Sequence, residues 1–471
     1  MMKKIIITDA VDKKAAAVLE NAGFEVTYKP GMPKEEILKV IKDYNALIVR
    51  SETKVNSEMI SAMENMEVIG RAGAGVDNID LDASTRKGII VMNTPGGNTV
   101  STAEHTMALM LSMCRNIAQA NQSLRSGKWD RKTYKGTELL DKTLGVVGLG
   151  KIGREVALRS KAFGMNVIGF DPVLSEEVAK KINVQLVDLD TIFSKSDIIT
   201  VHVPLNEETK NLICEETLAK CKDGVKIINC ARGGIVNEED LVAALNSGKV
   251  SAAALDVYVT EPPEFTGALI QHPKVVATPH LGASTDEAQE KVAIQIAEQI
   301  VDLFKTKTVR GAVNASAVEA VGNPDIAPFV RLGENLGSLH SQLMQTQLKE
   351  ININYSGELL HNSTALISSA VLKGFLSKKL SDPVNLISAP FLAKEMGIQL
   401  NQTKLGANTN YTNLLEVQCV SEKEKRSLAG TVFGNNEIRI VKIDDFHVEV
   451  KPEGYMLLYS NIDKPGMLAT V

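Results

Sequence analysis

Lys142 to Pro172 reads KTLGVVGLGKIGREVALRSKAFGMNVIGFDP, an order of residue types that predicts strand, turn, helix, strand. The apolar run before Gly148 suits a short buried strand. Gly148-Leu149-Gly150-Lys151-Ile152-Gly153 then turns the chain into a helix, and a second apolar strand, Asn166 to Phe170, ends at Asp171. Each glycine has its own task. Gly148 permits the tight turn, Gly150 lets backbone approach a pyrophosphate, and Gly153 lets helix and strand pack closely. The helix start offers unpaired N–H groups and partial positive charge to phosphates. Asp171 stands where a carboxylate accepts hydrogen bonds from the hydroxyls of an adenosine ribose. A lone GxGxxG is only a glycine-rich turn; with strand, helix and later acid in one register it becomes a dinucleotide site.

Asp171 also selects the dinucleotide. A 2′-phosphate beside it would be repelled by about 4 kcal/mol per charge pair at ~4 Å in an effective dielectric of ~20. Pro172, Val173 and Leu174 follow, with no cation to neutralise that charge. NAD is therefore expected rather than NADP.

A chain of 471 residues has room for about three domains. Its 44% hydrophobic and 23% charged residues supply several cores inside an ordinary water-facing surface. A net charge of −5 gives no reason to expect a nucleic acid or a membrane surface as partner. The opening MMKKIIITDA has too short an apolar run for a signal peptide, and no run is long enough to span a bilayer. Five cysteines without zinc-type spacing point to reduced thiols in the cytoplasm and to no metal.

Residues 1–99 alternate strand and helix. KIIIT, FEVTY, ALIVR, EVIGR and GIIVM are the strands, and helices follow Asp12, Pro33, Asn56 and Leu81. Such alternation implies a parallel, doubly wound sheet of flavodoxin-like type. At the end of its fourth strand stands Gly70-Arg71-Ala72-Gly73-Ala74-Gly75-Val76-Asp77. Backbone amides there can line an anion, although a plain tight turn accounts for the glycines equally well. From Thr99 a long helix is expected to run to a stop at Gly127, with Ser101 and Glu104 as a capping box. The cofactor domain, a Rossmann-type unit, then occupies 100–285 as an insertion. The amphipathic DEAQEKVAIQIAEQIVDLFKT returns the chain, so that 286–315 completes the first domain. Two crossings, near 100 and near 285, make a hinge over a cleft.

Within the cofactor domain the strands DIITVHV, VKIINC, SAAALDV and VVATPH follow Asp171. In a parallel sheet their C-terminal ends share one edge, and ligands bind beyond it. Gly148, Asp171, His202-Val203-Pro204, Cys230-Ala231-Arg232, Asp256 and Thr278-Pro279-His280 all fall there. Residues 316–452 form a third, α+β unit with helices around Pro383 and Pro390 and strands in LLEVQCV and EIRIVKIDDFHVEV. GYMLLYSNIDKPGMLATV then gives a strand, a turn and a helix start, too little for a domain, so the ending looks cut.

Three residues carry the expected chemistry. His280, at a strand end on the cofactor edge, suits the proton transfer that accompanies hydride transfer at a secondary alcohol. Glu261, before Pro262-Pro263, can hydrogen-bond that imidazole and favour its protonated form. Arg232 offers a planar fork for a carboxylate and can polarise a neighbouring carbonyl. Against this, a histidine taken at random among seven is structural, and Glu261 or Arg232 alone is an ordinary surface charge. His105 is read as packing at a domain interface; His272, His340, His361 and His447 as structural or exposed.

GLGKIGREVALRSKAFGM, NCARGGIVNEEDLVAAL, DVYVTEPP and TPHLGAST resemble the D-isomer-specific 2-hydroxyacid dehydrogenase family, in fixed order over residues 45–315. VFGNNEIRIVKIDDFHVEV followed by DKPGM resembles the intervening domain (316–452) and the start of an ACT regulatory domain (453–471) of its long form. The resemblance implies NAD-dependent oxidation of 3-phospho-D-glycerate to 3-phosphohydroxypyruvate, the entry to serine biosynthesis. It implies His280 as acid/base, Glu261 as its partner and Arg232 as carboxylate and carbonyl ligand. Gly73 and Ala74 would hold the carboxylate through backbone, Asn98 would contact substrate, and Arg50, Arg71 and Arg131 would face a phosphate. Lys151 and Ile152 would cover the pyrophosphate, with Gly148, Gly150 and Gly153 beneath and Asp171 on the ribose. Val203, Cys230, Ala231, Asp256 and Gly282 would line the adenine and nicotinamide, Asp256 meeting the carboxamide. A homodimer or homotetramer is implied as well. The alternatives are another D-2-hydroxyacid dehydrogenase, such as a glycerate or hydroxypyruvate reductase, and a non-catalytic NAD(H)-sensing scaffold.

Overall fold

A computed structural model describes residues 2–315, 324–344, 346–380, 383–406 and 410–458. Its first sheet is built from β1 (Lys4–Ile7), β2 (Glu25–Tyr28), β3 (Ala46–Val49), β4 (Val68–Arg71) and β5 (Ile90–Met92). All are parallel, in the order β2-β1-β3-β4-β5. Ile5, Ile6, Ile7, Leu47, Ile48 and Val49 are fully buried, as expected of strands covered on both faces. Helices Lys14–Asn21 and Asp286–Thr306 cover one face, and Lys34–Val40, Ser57–Ser61 and Leu81–Arg86 the other. The returning helix lies so close to β4 that a Cβ on Gly70 would stand 2.7 Å from Ile296. After it, Ala312 bridges to Met92 and the Val313 N–H donates to Val91.

The second sheet comprises β6 (Thr143–Val147), β7 (Asn166–Phe170), β8 (Gln185–Leu186), β9 (Ile198–Val201), β10 (Val225–Asn229), β11 (Val250–Leu255) and β12 (Val275–Ala277). Its order is β12-β11-β10-β9-β6-β7-β8, again all parallel. The order reverses between β6 and β9, and that switch point opens the crevice where a dinucleotide lies. The doubly wound α/β architecture is thus the one expected. The long helix differs: it runs over Thr99–Arg115, breaks at Asn116 in a left-handed conformation (φ 52°), and resumes over Ile117–Arg125. No capping box forms at Ser101, which lies inside the first turn, under Asn98, and points its hydroxyl elsewhere.

The third sheet is mixed: β13 (Leu348–Ser356), β14 (Gln399–Leu405), β15 (Leu414–Ser421), β16 (Lys425–Phe433), β17 (Glu437–Ile443) and β18 (Phe446–Val450), ordered β14-β13-β15-β16-β17-β18. Only the β13–β14 pair is parallel. Helices Ala327–Leu343 and Thr364–Leu376 cover one face with Leu332, Leu336, Ile367 and Val371. They cross almost in contact, since a Cβ on Gly337 would lie 2.0 Å from the Val371 carbonyl oxygen and one on Gly374 2.0 Å from that of Glu334. EIRIVKIDDFHVEV is two strands, because Asp444 turns the chain at φ 51°. This unit docks on the back of the first sheet's domain. Asn385 Nδ2 donates to the Gly88 carbonyl (2.8 Å), and Arg86 pairs with Glu395. Most of the expected start of a further domain over 453–471 lies outside the described residues.

Candidate active site

The cofactor end begins where β6 stops. Gly148 turns at φ 93°, and a Cβ there would stand 2.5 Å from the His202 carbonyl oxygen. Gly150 is the N-cap of the helix Lys151–Ala162, with no side chain capping it and no atom within 4 Å of where its Cβ would be. Gly153 presses against the turn itself, a Cβ there meeting the Gly148 oxygen at 2.0 Å. Uncapped amides beside an open surface form a cradle for a pyrophosphate. At the end of β7, Asp171 Oδ2 accepts from the Leu149 N–H (2.8 Å), and Oδ1 from those of Val173 and Leu174 (2.9 Å each). Three donors fix this carboxylate at the cradle's edge, where it fits a ribose. Lys151 opens that helix, and its Nζ donates to the Pro95 carbonyl (3.0 Å), across the lobe boundary. Ile152 packs against the core beneath.

His280 and Glu261 are brought together. His280 Nδ1 lies 2.8 Å from Glu261 Oε2, and Glu261 Oε1 accepts from the Tyr258 N–H (3.2 Å). His280 has φ 54°, a conformation that a residue with a Cβ keeps only when its surroundings impose it. Asp256 imposes it. This carboxylate, 1% exposed, accepts from the N–H groups of Leu281 (2.7 Å) and Gly282 (2.8 Å), from Thr278 Oγ1 (2.6 Å) and from His105 Nε2 (3.1 Å). Burial works to raise its pKa, but the bonds from His105, Thr278 and Leu281 outweigh burial and hold it below the ordinary carboxylate value. Asp256 thereby secures the loop that carries His280, with Oδ1 taking three of these donors and Oδ2 the Gly282 N–H. Ser101 and Thr102 secure the same loop through the Gly282 carbonyl (2.9 and 3.1 Å).

Asp256→Asn should lower stability by about 2–3 kcal/mol, because an amide turns an NH2 toward donors and surrenders charge-assisted bonds. A carboxyl whose pKa is depressed in the fold stabilises above its unfolded value and loses that effect as pH falls through the folded one. In thermal melts the gap between wild type and variant should therefore be full at neutral pH and close below the ordinary carboxylate range.

Other residues at this edge are less polar. Cys230 is buried, its thiol pushed up to about 12 by burial against the opposing bond from Thr106. Burial pushes the His202 imidazole down to about 4, leaving it neutral beside Thr200 Oγ1 (3.0 Å). Val203 and Ala231 pack partly buried against the core on the sheet's other face, and Gly282 fits tightly between Asp256 and Thr102.

The opposite wall comes from the first sheet. Asp9, 1% exposed at the end of β1, accepts from the N–H groups of Arg50 (2.7 Å), Glu52 (3.0 Å) and Thr53 (3.1 Å), fixing the turn after β3. Arg71 Nε donates to the Arg50 carbonyl (3.3 Å). Its guanidinium is pulled down to about 10, first by burial and then by Arg232, with Asp77 opposing and Arg50 adding. Gly73 and Gly75 have a use that the motif does not reveal. A Cβ on Gly73 (φ 151°) would meet Arg71 Nη1 at 1.9 Å, and one on Gly75 would meet Arg232 Nη2 at 2.0 Å. The φ of 151° at Gly73 favours glycine in its own right, and guanidinium groups lie over both positions. Ala74 sits between, and Asn98 stands at the head of the helix Thr99–Arg115. Arg131 is exposed on a turn after the broken helix. Ser101, Thr102, His105, Gly75 and Asp77 are the site residues that motif reading misses.

Residues 107–282 match the family profile for the D-isomer specific 2-hydroxyacid dehydrogenase NAD binding domain. The class is therefore an NAD-dependent oxidoreductase. Residues 325–444 match the D-3-phosphoglycerate dehydrogenase intervening domain. The chain is 45% identical to D-3-phosphoglycerate dehydrogenase of Archaeoglobus fulgidus over 99% of its own length and 89% of that protein's. It is 43% identical to that of Methanocaldococcus jannaschii over 100% and 89%. An NAD+-bound 3-phosphoglycerate dehydrogenase structure from Entamoeba histolytica superposes with a TM-score of 0.57 at 32% identity, covering 67% of this chain and 99% of that one. The chain belongs to the D-3-phosphoglycerate dehydrogenase family.

Proposed function

We infer that the chain oxidises 3-phospho-D-glycerate to 3-phosphohydroxypyruvate with NAD, the reaction that opens serine biosynthesis. The observation that carries the mechanism is the 2.8 Å contact between His280 Nδ1 and Glu261 Oε2 at the cofactor edge of the second sheet. A carboxylate on Nδ1 holds the proton there and leaves Nε2 with a lone pair, the form of imidazole that acts as a base. His280 Nε2 takes the substrate hydroxyl proton, and Glu261 stabilises the imidazolium that results. Bound NAD supplies the acceptor for the hydride that leaves C2. Arg232 and the Gly73–Gly75 backbone hold the carboxylate, and the guanidinium steadies the carbonyl oxygen as it forms.

Arg50 and Arg71, fixed on the first sheet's side of the cleft, are the phosphate ligands. Comparing NAD reduction with 3-phosphoglycerate and with D-glycerate tests this assignment. Arg50→Ala should raise KM for the phosphorylated substrate about tenfold, the worth of one charge-assisted bond, and leave D-glycerate unchanged. Equal losses on both substrates would reject a phosphate pocket and favour a general hydroxyacid reductase.

A homo-oligomer is in keeping with apolar side chains left open to water: Ile117, Leu124, Trp129, Leu140, Leu158 and Phe163 are between 46% and 79% exposed on the broken helix, the loop after it and the cofactor helix. Exposed apolar side chains suit a protein contact, and a second copy of the chain is the partner proposed for them. No helix among the described residues is long and apolar enough to cross a membrane. The five cysteines are free thiols, which suits the cytoplasm.

A further inference from the structure

The geometry points to Asp77 as the positioning residue for Arg232: a carboxylate of the substrate lobe that reaches across the cleft, takes Nε, and leaves Nη2 against the Gly73–Gly75 backbone where the substrate carboxylate binds. This rests on the assignment of Arg232 as the carboxylate ligand. Arg232 is held on two sides, by Asp77 Oδ2 at Nε (3.0 Å) and by the Ala231 carbonyl at Nη1 (2.7 Å). The remaining nitrogen, Nη2, is the one that would stand 2.0 Å from a Cβ on Gly75.

Both partners are themselves fixed. Asn78 Nδ2 ties the Asp77 loop to the carbonyls of Arg50 (3.0 Å) and Thr53 (2.8 Å), and Asn229 Nδ2 binds the Arg232 carbonyl (2.8 Å). The Asp77 side chain is 73% exposed and that of Arg232 32%, and an ion pair so open to water adds little to stability. Its effect is orientation. A guanidinium left to rotate would present different edges to an incoming carboxylate, and three such cations lie together here. Asp77 is the one carboxylate on the Gly70–Asp77 segment between Arg71 and Arg232. Its Oδ2 lies at the same glycine, 2.8 Å from where a Cβ on Gly75 would stand, so it offsets the mutual repulsion of the cations on the Nε–Nη2 edge of Arg232.

The test uses the full chain as wild type, Asp77→Ala, Asp77→Asn, Arg232→Ala and the Asp77→Ala/Arg232→Ala double variant. Kinetics with 3-phosphoglycerate and NAD are combined with fluorescence titration of NADH. Asp77→Ala should raise KM about tenfold and leave the NADH dissociation constant within about twofold of wild type. Asp77→Asn, whose amide oxygen still accepts from Nε, should recover most of that loss. In the Arg232→Ala background Asp77→Ala should add less than about twofold, because its effect passes through the guanidinium. An unchanged KM in Asp77→Ala, or effects that multiply in full in the double variant, would overturn the proposal. If instead Arg232→Ala alone leaves kcat and KM untouched, the reading of Arg232 falls first and this one with it.

Discussion

Replacing His280 by Ala is expected to lower kcat for 3-phosphoglycerate oxidation by about a hundred- to ten-thousand-fold, the range that a positioned acid/base group supplies. No neighbour can stand in. His202 is held neutral by burial with Nε2 on Thr200, and His105 is committed to Asp256 and Thr278. NADH titration should be unaffected, because the cradle at Gly148–Gly153 belongs to other strand ends. Steady-state turnover beside NADH binding measures both. A variant that keeps more than about a tenth of wild-type kcat would remove His280 from the chemistry.

Arg232→Ala is the second large effect, with kcat/KM falling by about a hundred- to a thousandfold, as when one donor to a developing oxyanion is deleted. Its loss also leaves Arg50 and Arg71 facing Asp77 alone, so inhibition by salt should change along with KM. Arg232→Lys should recover little, since an ammonium cannot occupy Nε and Nη2 positions at once. The measurement is kcat and KM in both directions; wild-type values in Arg232→Lys would show that charge alone, without the fork, suffices.

The sequence disclosed those parts of the molecule whose cause is local. Gly148, Gly150 and Gly153 announce the turn and the helix approach, and six of the seven strands of the second sheet are visible as apolar runs that stop at the edge, the two-residue β8 being too short to show. His280 and Glu261, only 19 positions apart, are close enough along the chain to be paired by their strand-end context. The Asp256–His105 bond spans 151 positions, and a histidine inside a helix gives no sign of where its ring points. Asp77 and Gly75 read as an ordinary charge and an ordinary turn because the group that explains them, Arg232, arrives 155 residues later. Asn116 breaks the long helix although its apolar pattern continues. In the third unit, β14 (Gln399–Leu405) was hidden by its polar composition, which suits an exposed sheet edge.

The hydroxyls of Ser101 and Thr102 meet the Gly282 carbonyl just inside the two places where the chain passes between its lobes, near 98 and near 285. Tied to each other at one carbonyl, the two crossings cannot shift independently without breaking those bonds. The loop that carries His280, two residues from the tie, therefore keeps its place against the helix Thr99–Arg115.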